Sequence, residues 1–161
     1  MEQPSSGHPS LDALEAGLAA VLRAPVEIVH RERNLYQSSF PSEVVTCRAG
    51  GGLTANLLCK YGAGRERTGF GHRGGIGYES AVYRELLEPL GAGAPAFYGS
   101  YTEPGGTWIV LEYLDEAHRL DLTADPRALG RAATWVGGFH SLIPTDQDSP
   151  PFARCSAGHQ W

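Results

Sequence analysis

Residues 53–61, LTANLLCKY, are an apolar segment of strand length that ends in a lysine. Lysine is depleted inside strands and is seldom buried, so its place at the end of this segment is notable. Because successive side chains of a strand point to opposite faces, Lys60 shares a face with Leu58 and lies opposite Leu57 and Cys59. The stretch therefore predicts a strand that carries one cation beside an apolar face.

The segments around this strand predict an α+β fold. A Gly-rich reversal at 49–52 joins it to a strand at 43–48, as in an antiparallel hairpin. The other predicted elements are a helix at 11–22, a strand from 26 toward 36, a helix at 76–90, strands at 96–101 and 107–113, and a helix at 126–142. Five strands in antiparallel hairpins with one helix inserted indicate an α+β protein, not a βαβ pattern.

Length and composition restrict the class of protein. The chain has 161 residues, which predicts one domain, and a net charge of −5, which argues against a nucleic-acid partner. Its three cysteines, Cys47, Cys59 and Cys155, are too scattered for a disulfide framework, which favours a reducing compartment. With no apolar signal segment and no membrane-spanning run, we expect a cytoplasmic protein without membrane contact.

Glu79 is the second informative residue. On a helical wheel the 76–90 segment has an apolar stripe, and Glu79 falls inside it. The stripe consists of Ile76, Tyr83, Leu86, Leu87 and Leu90. A carboxylate on a core-facing stripe is costly unless a cation meets it, so Lys60 is its predicted partner. The alternatives are that Glu79 reaches water at the edge of the stripe and that Lys60 is a snorkelling surface residue.

The exit of the last predicted strand is the third feature. The apolar residues 107–111 run straight into Glu112-Tyr113-Leu114-Asp115. Backbone groups that leave a sheet at such a point are available to hydrogen-bond a flat heterocycle.

Taken together, these segments resemble the small lobe of the protein-kinase-like fold, as found in the aminoglycoside phosphotransferase and choline kinase group. The carrying segments are Cys59-Lys60-Tyr61, residues 75–86, residues 97–101 and residues 108–115. The resemblance implies a kinase-like small lobe with a five-stranded antiparallel sheet, an αC-type helix and one following large-lobe helix. It divides the chain into an N-terminal helix and lead-in (1–25), an ATP-binding small lobe (26–115), a linker and first large-lobe helix (116–143) and an irregular tail (144–161).

The resemblance also assigns roles to residues. It implies that Lys60 contacts the α- and β-phosphates of ATP, bound with Mg²⁺, and that Glu79 orients Lys60. The backbone of Glu112 and Leu114 would hold the adenine, Leu111 would lie behind it and Leu58 would line its pocket. Ser38 and Ser39 lie in the turn where kinases carry their phosphate-covering loop.

The chain departs from the family in its catalytic parts. The family places an aspartate base in a His-Gly-Asp segment, an asparagine and a Mg²⁺-binding aspartate after the helix that corresponds to 126–142, and this sequence has no such segment. We therefore assign no catalytic and no metal-binding residue, and expect a truncated, inactive lobe. A complete homologue would transfer the γ-phosphate to the hydroxyl of a small molecule. We also expect self-association through the surface that faces the missing large lobe.

Other interpretations remain open at this stage. The chain is alternatively a pseudokinase-like module that binds nucleotide or a protein, or an unrelated α+β interaction domain in which Lys60 and Glu79 are not in contact. The Gly-x-Gly-x-x-Gly match at 69–74 lacks the βαβ context of a dinucleotide site. The Cys-x₃-His spacing of Cys155 and His159 lacks the further ligands of a zinc site.

Overall fold

The computed structural model describes residues 8–36, 40–62, 75–117 and 119–142, and they form an α+β fold. The helical elements are α1 (Leu11–Leu22), α2 (Gly75–Val82), a π-helical turn (Tyr83–Leu87), α3 (Glu88–Leu90), a 3₁₀ turn (Leu120–Leu122) and α4 (Pro126–Leu142). The strands are β1 (Val26–Arg33), β2 (Ser42–Ala49), β3 (Leu53–Tyr61), β4 (Phe97–Glu103) and β5 (Gly106–Glu112). Every predicted element is present, with ends shifted by up to three residues.

The helix ends follow local capping chemistry. Ser10 Oγ accepts the N–H of Ala13 at 3.2 Å, which satisfies one of the free donors of the first turn of α1. Asp125 Oδ1 accepts the N–H of Arg127 at 2.9 Å, and Pro126 occupies the first position of α4, where a missing N–H costs nothing.

The helix predicted at 76–90 is interrupted. Its middle turn, Tyr83–Leu87, is π-helical, and the N–H of Glu88 bonds to the carbonyl oxygen of Tyr83, five residues back. Pro89 has no N–H to donate and its ring crowds the carbonyl one turn earlier, so the preceding turn widens.

The five strands form a single antiparallel sheet in the order β1-β2-β3-β5-β4. The central strand β3 therefore has β2 on one side and β5 on the other. In this register Leu58 lies between Val44 and Leu111, and Lys60 lies between Ser42 and Ile109. The predicted five-stranded antiparallel sheet is confirmed.

One face of the sheet is covered by α1. The buried residues here are Leu14, Leu18, Val45, Cys47, Leu57, Cys59, Tyr61, Trp108 and Val110. Gly17 allows the close approach of the helix, because a Cβ at this position would meet the Trp108 ring at 2.5 Å. The α1 face is thus closed by tight packing.

The opposite face, here called the α2 face, is only partly covered. Ile76 of α2 packs on Ile109 and Leu111, and Leu58 joins the same cluster while remaining half-buried. Val44, Thr46 and Asn56 on this face are also half-buried. Charged or polar side chains on this face can therefore reach a ligand.

Trp135 links helix α4 to the segment before β4. Trp135 donates its indole N–H to the carbonyl oxygen of Ala92 at 2.9 Å and stacks on Phe139. No residue of α4 is buried, and Leu129 is 63% exposed. Among the described residues, no helix has the length and apolar character needed to span a membrane.

Candidate functional site

Lys60 and Glu79 meet on the α2 face. Lys60 Nζ donates to Glu79 Oε1 at 2.5 Å, and the two side chains are 21% and 27% exposed. Strand alternation places the lysine on this face. Because Ile76 is buried, Glu79, three residues later on the same side of α2, also faces the sheet. The predicted contact is confirmed, and an interpretation in which these two residues lie apart is wrong.

An apolar surface adjoins this ion pair. Leu58 and Leu111 are direct cross-strand partners on β3 and β5, and Leu111 is 2% exposed whereas Leu58 is half-buried. Because Leu58 lies two residues before Lys60, the apolar surface and the ammonium are neighbours on one face. The residues predicted to line a pocket are therefore beside the predicted phosphate contact.

The segment after β5 follows Glu112, whose N–H and carboxylate are already hydrogen-bonded. Its N–H donates to the carbonyl oxygen of Ala96 at 2.8 Å, and its carboxylate accepts the N–H of Ala96 at 3.0 Å. The carbonyl oxygen of Leu114 accepts the N–H of Ala117, while the N–H of Leu114 makes no hydrogen bond to any described residue. The backbone donor at 114 is thus available to a ligand.

Asn56 is a polar residue of this face that the sequence analysis missed. Its Oδ1 accepts from Thr46 Oγ1 at 2.8 Å, and its Nδ2 donates to the Asp115 carboxylate at 3.0 and 3.2 Å. Its carbonyl oxygen also accepts the N–H of Tyr113 at 3.4 Å. An asparagine inside an apolar strand was the available signal, since asparagine is depleted in strands.

A buried carboxylate, Glu43, lies on the α1 face and was also missed. Arg31 donates to both of its oxygens, at 2.7 and 2.6 Å, and His8 Nδ1 lies 2.9 Å from Oε1. Burial raises the pKa of Glu43, but the hydrogen bonds from Arg31 and His8 outweigh it and hold that pKa below its ordinary value. Glu43 lies two residues before buried Val45 and therefore on the same face of β2, so strand alternation would have revealed its burial.

The described cysteines are inert. Cys47 and Cys59 are buried free thiols, and burial raises the pKa of Cys59 to about 12. A thiol with such a pKa stays protonated and is a poor nucleophile and metal ligand. Across the described ranges, no group of three His, Cys, Asp or Glu side chains is placed to hold a metal ion.

Some predicted features lie outside the described residues. They are Ser38 and Ser39, the glycine motif at 69–74, and the pair Cys155 and His159.

The chain matches no protein-family model, no curated protein and no solved structure.

Proposed function

We propose that this chain is the ATP-binding lobe of a small-molecule phosphotransferase of the aminoglycoside phosphotransferase-like family. The observation that carries the proposal is the Lys60–Glu79 ion pair on the partly open face of the sheet. The carboxylate holds the ammonium in one place, while one fifth of the lysine side chain stays exposed. Such an ammonium can meet phosphate oxygens as a positioned point charge. Lys60 then contacts the α- and β-phosphates, and Glu79 orients it.

The surroundings of the pair suit an adenine ring. Half-buried Leu58 offers an apolar surface, and buried Leu111 lies behind it. The N–H of Leu114 can donate to a ring nitrogen, and at Glu112 the carbonyl oxygen is the group proposed to accept from the base. An apolar cleft with a few placed backbone groups is the usual composition of a heterocycle site.

The proposed activity of this chain is binding without transfer. In a complete homologue the γ-phosphate passes to a substrate hydroxyl, and Mg²⁺ neutralises charge on the phosphates. This sequence has no His-Gly-Asp segment to supply a base. A nucleotide ligand together with the free buried thiols Cys47 and Cys59 favours a cytoplasmic location.

Titration with ATP and Mg²⁺ by calorimetry tests the proposal. Lys60→Met should weaken binding about tenfold or more, because it removes a charge-assisted contact of roughly 1.5–3 kcal/mol. Glu79→Gln should weaken it less, because the ammonium remains. The matched controls are Arg48→Met, at an exposed ion pair at the opposite end of β2, and Glu88→Gln, an exposed carboxylate after the π turn. Absence of binding in the wild type, or equal binding by Lys60→Met, refutes the nucleotide function.

The composition of the chain allows a site-specific version of this test. Lys60 is the single lysine, and all other basic side chains apart from histidine are arginines. An amine-reactive acyl-phosphate analogue of ATP should therefore label Lys60, and free ATP should protect it. Labelling that free ATP does not reduce would contradict a nucleotide at this site.

The alternative is a non-catalytic, pseudokinase-like module that binds a protein. The exposure of α4 favours it, since Leu129 and Trp135 are 63% and 48% exposed and no residue of this helix is buried. An exposed apolar helix face is typical of an interaction surface. Loss of self-association in α4 variants with nucleotide binding unchanged would show that the two functions are separate.

A further inference from the structure

Asn56 of β3 contacts both β2 and the segment after β5. Its side-chain oxygen accepts from Thr46 of β2, and its amide donates to both oxygens of Asp115, 59 residues further along the chain. Its own carbonyl oxygen accepts the N–H of Tyr113. The regular pairing of β3 with β5 ends at Leu57 and Glu112, so these contacts extend it into the following segment.

In the segment after β5, the contacts of Asn56 are with the two sequence neighbours of Leu114. The residues directly before and after it, Tyr113 and Asp115, are the two that Asn56 holds. The backbone bond to Tyr113 is long, at 3.4 Å, so the side-chain contact to Asp115 has a large share in holding this segment. Asn56 therefore restrains the residues on both sides of Leu114.

The side-chain amide of Asn56 supplies both the acceptor and the donor that these contacts need. A carboxylate there could accept from Thr46 but could not donate to Asp115, and an apolar side chain could do neither. A β-strand that needed packing alone would favour a β-branched residue. The asparagine therefore indicates a specific requirement for the path of the segment after β5.

We propose that Asn56 is a positioning residue that fixes the Leu114 N–H for recognition of the heterocyclic base of a nucleotide. The inference rests on the proposed nucleotide function and adds to it the residue that determines base recognition, as distinct from phosphate binding. Lys60 acts on the phosphates, whereas Asn56 acts on the base through the segment from 113 to 115. The two roles are separable by ligands that have or lack a base.

A pair of exchanged side chains provides the test. Asn56→Asp places two carboxylates against each other, and Asp115→Asn in the same chain restores a donor and an acceptor with the direction of the bond reversed. In Asn56→Asp the amide of Tyr113, which bonds to the carbonyl oxygen of residue 56, should exchange hydrogen faster, and the double variant should recover. The amide of Gly62, bonded to Thr107 at 2.8 Å, is the internal control.

Binding is measured with ATP and with inorganic tripolyphosphate, both with Mg²⁺. Asn56→Asp should weaken ATP about tenfold, the double variant should restore it, and tripolyphosphate binding should not change. Lys60→Met should weaken both ligands. Unchanged exchange at Tyr113, or equal loss of both ligands in Asn56→Asp, overturns the positioning role while the nucleotide function stands. A wild type that binds neither ligand refutes the nucleotide function and the base recognition with it.

Discussion

A double-mutant cycle on Lys60 and Glu79 measures directly how strongly the ion pair is held. The variants are Lys60→Met, Glu79→Gln and the double variant, and the quantity of interest is the coupling in the free energy of unfolding. The cycle reports on the site without any ligand, so it stands apart from the nucleotide experiments.

The geometry sets the expected magnitude. Two unit charges about 4 Å apart attract by about 4 kcal/mol at an effective dielectric constant of about 20, and loss of hydration offsets much of this. Exposed pairs couple by about 0.2–1 kcal/mol, whereas breaking a fully buried pair costs about 3–5 kcal/mol. With side chains 21% and 27% exposed and 2.5 Å between the atoms, we expect a coupling between these limits, of about 1.5 kcal/mol.

Urea unfolding followed by tryptophan fluorescence is the assay, and the chain contains its own control pair. Arg48 and Glu27 form an ion pair at 3.0 Å with side chains 51% and 66% exposed. A cycle on these residues, Arg48→Met with Glu27→Gln, should give a coupling below about 0.5 kcal/mol. High salt should remove this small coupling and preserve most of that between Lys60 and Glu79.

The result that would refute the argument is equality of the two cycles. If Lys60 and Glu79 couple no more strongly than the exposed pair, the carboxylate does not hold the ammonium in place. The proposal that Glu79 orients Lys60 would then lose its physical basis.

Three further perturbations follow from the packing. Gly17→Ala should destabilise the protein by about 1–3 kcal/mol in urea unfolding, because the new methyl group meets Trp108, although alanine is the better helix former. The control Gly130→Ala, where the new methyl group points into open space, should stabilise the protein by up to about 1 kcal/mol. Changes of the same sign in both variants would contradict the packing of α1. Glu43→Gln should cost about 2 kcal/mol at neutral pH, because the guanidinium paired with it loses its counter-charge. The pKa of Glu43 is lower in the folded than in the unfolded state, so its contribution to stability is present above about pH 4.5 and is lost as the pH falls through the folded pKa. If Glu43→Gln remains less stable than the wild type in acid, this linkage is excluded. Leu129→Glu should abolish any concentration-dependent association in sedimentation velocity, and association that survives it would place the contact away from α4.

The meeting of Lys60 and Glu79 was predictable because two periodicities agree. A period of two places Lys60 on the same face as Leu58, and a period of 3.6 places Glu79 on the apolar stripe of the helix that follows. Each rule is local and needs only a few residues. A charge on an apolar stripe then requires a counter-charge, and the chain has one lysine to supply it.

Asn56 and Glu43 show why the rest was not predicted. The partner of Asn56 is 59 residues away and that of Glu43 includes His8, 35 residues away. Such contacts depend on which strands are neighbours. No local pattern indicates that β5 lies beside β3 and that β4 forms the edge of the sheet. For Glu43, parity alone would have revealed burial on the α1 face, but not the identity of its cation.

The sequence by itself determined where the helices and strands lie, apart from the π-helical turn at Tyr83–Leu87, and the face on which each strand residue lies. These are set by backbone sterics, alternation and capping over a few residues. The tertiary structure decided the order β1-β2-β3-β5-β4, the closed packing of α1 on one face and the partial cover of α2 on the other. The physical reason is that periodicity specifies which side chains must be buried, whereas the partner that buries them is selected by long-range packing of the whole chain.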